Sequence, residues 1–162
     1  MQRECGGRSA LADKTVHDVK NEFIIKETKH TKEPYIQVLK SRILASRLGM
    51  NLGPVCGTEL DENCNYVSEK SNVFVSFSYE MKFLELFDIL KEHFTAECDT
   101  TYFWTSFLSM SQFDEGKGKP QYNVKFWSDI FMKAIKDIGR TVLVITDNWK
   151  DPVVLKRSWC IW

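Results

Sequence analysis

At Asn72 the sequence changes rhythm, and that change limits the folds open to it. From there, short β-branched and aromatic runs alternate with segments whose apolar residues recur at helical steps. Val73-Phe74-Val75-Ser76-Phe77 is short enough for a buried strand. Met81 to Phe94 follows as a helix, with Phe83, Leu86, Phe87, Leu90 and Phe94 on one stripe. Thr101 to Leu108 predicts a second strand, and Ser109 to Gln121, with Gly116, Gly118 and Pro120, predicts a loop. Asn123 to Ile138 carries the clearest helical pattern, in Trp127, Ile130, Phe131, Ala134, Ile135 and Ile138, and Gly139 stops it. Thr141 to Ile145 is a third strand, apolar enough to be covered on both faces. Strands and helices in this alternation build a parallel sheet with right-handed crossovers and helices on both faces. The expected fold class is α/β.

The residues before this domain follow no such rule. Residues 1–70 read as a helical and irregular extension, and residues 71–162 as the α/β domain. Val16, Val19 and Phe23 recur at helical spacing, so a short helix and a poorly ordered leader are both open readings. Pro34 opens a firmer helix in which Ile36, Leu39, Ile43 and Leu44 share a face, with Gly49 as its stop. Asn51 to Lys70 is rich in turn residues and reads as a connection. At the other end, Asp151-Pro152 opens a terminal helix within which the sequence ends on Trp162. The chain therefore reads as a piece of a longer protein, its α/β domain incomplete at the C-terminal end. A parallel sheet stopped after three strands leaves an edge and apolar faces that only residues 1–70 are available to cover.

Composition removes several function classes. Lys+Arg and Asp+Glu balance at 22 each, against the basic surplus that electrostatic phosphate-backbone binding needs, so no nucleic acid is expected as partner. No window approaches the ~18 uninterrupted apolar residues of a bilayer span, and the N-terminus lacks an apolar signal core. No membrane partner is expected. The five cysteines, Cys5, Cys56, Cys64, Cys98 and Cys160, are scattered without metal-ligand spacing. They fit unpaired thiols in a reducing compartment, and the expected location is cytoplasmic, with no metal.

Ligands of open parallel sheets bind beyond the carboxyl ends of the strands. That rule selects Ser76 to Glu80, Ser109 to Gln121 and Thr146 to Asp151. Ser76, Ser78 and Tyr79 bring hydroxyls, and Glu80 a carboxylate whose structural role would be to favour a helix N-terminus. Asp114, Glu115, Lys117 and Lys119 read as solvated loop charges. Gly116-Lys117-Gly118-Lys119 lacks the Gly-x-x-x-x-Gly-Lys-Ser/Thr spacing that cradles nucleotide phosphates. His93 with Cys98 or Cys160 is a conceivable nucleophile pair, but nothing in the sequence orients a base, and packing is the simpler role. The tryptophans read as core or interface, with Trp149 between Asn148 and Lys150 as the partly exposed one.

Three segments together resemble a TIR domain, the Toll/interleukin-1 receptor signalling module. Val73-Phe74-Val75-Ser76-Phe77-Ser78 resembles its first-strand box, and Arg140-Thr141-Val142-Leu143-Val144-Ile145-Thr146 its third strand. Arg157-Ser158-Trp159-Cys160 resembles its Ser-x-Trp-Cys helix opening, with the serine one position closer to the tryptophan. Phe103-Trp104, Ile138 to Val144 and Leu155 to Trp162 are similar to TIR-like domains of protist and algal multidomain proteins. The resemblance covers the chain from Asn72 onward.

It implies a three-layer flavodoxin-like sheet, here partial, and an intracellular signalling module acting by self-association or by contact with other TIR-like domains. The alternative it implies is an NAD-cleaving enzyme, with NAD as substrate rather than resident cofactor. Phe77, Ser78, Tyr79 and Trp149 would then line the dinucleotide pocket. The family's catalytic glutamate would fall immediately beyond Trp162, so no catalytic residue is assigned within this sequence. Two departures bear on that alternative: Ser111 to Gly116 replaces the usual Arg-Asp-x-x-Pro-Gly loop, and Ser106 stands where related sequences carry an acid. A third reading, a flavodoxin-like nucleotide or small-molecule domain without TIR biology, also remains, because fold does not fix function.

Overall fold

The structure is a computed structural model, and it describes residues 7–47, 70–97, 100–113 and 124–146. Three strands, β1 (Val73–Ser76), β2 (Phe103–Trp104) and β3 (Thr141–Leu143), form one sheet in the order β2-β1-β3. All pairings are parallel, with Val73 opposite Phe103 and Ser76 opposite Leu143. The strands run the same way, as the alternation predicts, and the α/β class holds.

Residues 7–47 are largely helical. A single turn, α1 (Gly7–Ala10), leads to α2 (Val16–Val19), a π-helical turn (Lys20–Ile24) and α3 (Ile25–Thr28), followed by α4 (Tyr35–Arg47). Thr15 caps α2 reciprocally: its hydroxyl accepts from the Asp18 N–H at 3.1 Å, and the Asp18 carboxylate accepts from the Thr15 N–H at 2.9 Å. The helical reading of Val16, Val19 and Phe23 is the one realised. The face of α4 differs from expectation. Tyr35 and Val38 are buried, Ile36 and Leu39 are half-buried, and Leu44 is 60% exposed. Packing against neighbouring helices selects the buried stripe, and a short apolar repeat leaves that choice open.

Helix α5 (Phe83–His93) leads from β1 towards β2, and α7 (Val124–Ile138) precedes β3. Strand alternation sends them to opposite faces. Val73, Val75 and Phe77 share one core with Phe83, Leu86 and Leu90 of α5 and with Val16, Val19, Ile24 and Tyr35 of the N-terminal helices. On the other face, Phe74 stacks on Trp104 at 4.9 Å between ring centroids and meets the Phe131 ring of α7 edge-on at 5.9 Å. Gly139 ends α7 with φ 74°, its N–H donating to the Ile135 carbonyl at 2.9 Å. The next residue, Arg140, forks onto Glu97 at 2.7 and 3.4 Å and lies over the Phe94 ring.

Two sequence expectations are corrected. The second strand stops at Trp104, and Ser106–Ser109 instead form a helical turn, α6. Polar side chains close it: Ser109 Oγ accepts from the Thr105 N–H at 3.3 Å, and Gln112 donates to the Ser106 and Met110 carbonyls. The turn aims Phe107 into the core, fully buried against Phe77 and Phe83. Nor is β3 covered on both faces. Thr141 is exposed, Val142 and Leu143 are half-buried, and Ile145 is 40% exposed. Among the described residues β3 is an edge strand.

Candidate functional site

Order β2-β1-β3 places β1 between two strands reached in opposite directions along the sheet. The crevice of a doubly wound sheet lies at such a reversal, beyond the carboxyl ends of the two strands involved. Here those ends are Ser76 to Tyr79 and Val144 to Thr146, joined where the Val144 N–H donates to the Ser76 carbonyl at 2.8 Å.

The residues expected there have divided roles. Ser76 is 5% exposed, and its hydroxyl has no hydrogen-bond partner among the described residues. Buried hydroxyls are ordinarily paired, so this one is the anomalous polar atom of the rim. Ser78 is half-buried and accepts from the Glu80 N–H at 3.3 Å. Glu80 is exposed and lies outside the first turn of α5, where Glu85 is the acidic residue. Phe77 belongs to the core, stacked on Tyr79 with centroids 5.6 Å apart and edge-on to Phe107 at 5.8 Å. Tyr79 is half-buried, and its hydroxyl shares a 2.8 Å hydrogen bond with the buried Ser106 Oγ. That bond ties the loop after β1 to the segment after β2. Trp149 lies outside the described residues, as do Asp114 to Lys119, the terminal Trp159-Cys160 segment and all five cysteines.

The N-terminal segment also occupies this rim. The Val16 N–H donates to the Met81 carbonyl, the His17 N–H to the Tyr79 carbonyl and the Phe83 N–H to the Lys14 carbonyl, each at 2.9 Å. Thr15 and Lys82 form an antiparallel bridge, and Lys82 donates to Asp13 at 3.1 Å. The loop after β1 is thus paired along its length with residues 14–17. Just beyond, Lys20 Nζ sits 5.3 Å from the Tyr79 ring centroid, and burial pushes its pKa down from the usual lysine value. Sequence reading did not single out Lys20. The accessible signal was Thr15-Val16-His17-Asp18, a capping pattern that starts a helix and fixes where Lys20 falls.

Other candidates are less organised. His93 is exposed and rests edge-on against Phe94. Ser111 donates to the Lys32 carbonyl at 2.6 Å, which anchors the start of the loop after α6. A shallow groove of about 350 Å³ lies on the α7 side, between Trp104, Met110, Ile130 and Ala134, with Lys133 and Asp137 paired at its rim. Among the described residues, no group of three His, Cys, Asp or Glu side chains is placed to hold a metal ion. No described helix is long and apolar enough to cross a membrane. Among the described residues the rim brings together hydroxyls, the Lys20 and Lys82 ammoniums and the carboxylates of Asp13, Asp18 and the exposed Glu80, of which Asp13 pairs with Lys82 and Asp18 caps α2. That set suits binding and orientation by hydrogen bonds better than proton transfer. Comparison with known proteins adds no relative, since no family model, curated protein or solved structure matches the chain.

Proposed function

We propose that this chain is a TIR-like signalling module of the cytoplasm that acts by associating with copies of itself or with similar domains. The order β2-β1-β3 supports the flavodoxin-like part of this reading, because it agrees with the first three strands of the 2-1-3-4-5 order of such sheets. The observation that carries the functional part is the pairing of residues 14–17 with the loop 79–83. Beside that pairing, Phe77 is buried in the core and Tyr79 is bonded to Ser106 and faced by Lys20, so two of the side chains that the resemblance assigns to a dinucleotide are already engaged. The β3 edge, by contrast, is open among the described residues, and Thr141 and Ile145 are exposed along it. An open edge offers unpaired backbone groups to a second chain.

Light scattering over a range of protein concentration tests the reading. The expected result is a mass that rises with concentration and is held down by Thr141→Lys with Ile145→Lys, since charges on an edge strand oppose pairing. A strict monomer at all concentrations would remove the association proposal.

One observation favours NAD cleavage as a second reading. The Ser76 hydroxyl, unpaired among the described residues, lies at the reversal point where it could take a ligand hydrogen bond, and the carboxylate described in the loop after β1 is the exposed Glu80. Measurable NAD consumption by this chain, abolished by Ser76→Val, would favour that reading over the first.

A further inference from the structure

We draw no further inference here: the strongest candidate, the groove of about 350 Å³ between the α6 segment and α7, has its Ser109 and Ser111 hydroxyls and its Lys133–Asp137 pair already engaged with the protein's own groups, and nothing among the described residues shows what covers its apolar lining.

Discussion

The backbone N–H of His17 donates to the carbonyl of Tyr79 at 2.9 Å, so the N-terminal helices and the loop leaving the central strand are one piece of structure. Without that pairing the loop after β1 would carry open backbone groups at the rim, where a ligand loop of a doubly wound sheet ordinarily lies. With it, the buried surfaces of Val16, Val19 and Ile24 join the core built on β1 and α5.

Ile24 is fully buried in that shared core, and Ile24→Ala is expected to destabilise the chain by about 2–5 kcal/mol. Urea unfolding followed by tryptophan fluorescence and by far-ultraviolet circular dichroism should give one coincident transition, shifted to lower denaturant. Two separable transitions would mean that the N-terminal helices fold as an independent appendage.

The Tyr79–Ser106 hydrogen bond joins a half-buried phenol to a buried hydroxyl. Tyr79→Phe leaves the Ser106 oxygen without that partner and is expected to cost about 1–2 kcal/mol. Tyr79→Phe with Ser106→Ala should cost less than the sum of the two single changes, because both ends are then apolar. A double-mutant cycle with no coupling would show that the two hydroxyls are satisfied separately.

Ser76 is the reverse case, a buried hydroxyl with no partner among the described residues. Ser76→Ala is expected to raise stability by about 1 kcal/mol, since an unsatisfied polar group is replaced by a methyl. A thermal melt showing a clear loss would reveal that the hydroxyl has a stabilising partner in the folded chain.

Asp18 supplies a pH dependence. Its carboxyl is held below the usual aspartate range, first by the Thr15 N–H, then by the Thr15 hydroxyl. A depressed folded-state pKa gives a contribution that is complete above the unfolded value and is lost as pH falls through the folded one. Acid titration of Asp18 by NMR should therefore show its midpoint below that of an unfolded peptide. Asp18→Asn should flatten this part of the stability profile. A midpoint at or above the peptide value would contradict the capping role.

Much of the sheet was legible in the residues, and its legible parts share a cause. The β1 run, α5, α7 and the Gly139 stop are each encoded by local spacing or by one residue's backbone freedom. The candidate site was legible only as a set of loops. Ser78 and Tyr79 do lie at the carboxyl rim, but Phe77 turned out to be core, and Lys20 was reachable only through the capping pattern of Thr15 to Asp18.

The residues alone settled that strand would alternate with helix from β1 to β3, and alternation with short connections implied strands running in parallel. They did not settle which strand would lie in the centre, that Ser106–Ser109 would turn helical, which stripe of α4 would be buried, or that residues 14–17 would pair with residues 79–83. The physical reason is range. Helical and strand rhythm is written in neighbours a few positions apart, whereas strand order, edge exposure and the surroundings of Lys20 depend on backbone groups and faces that meet only once distant segments share a core.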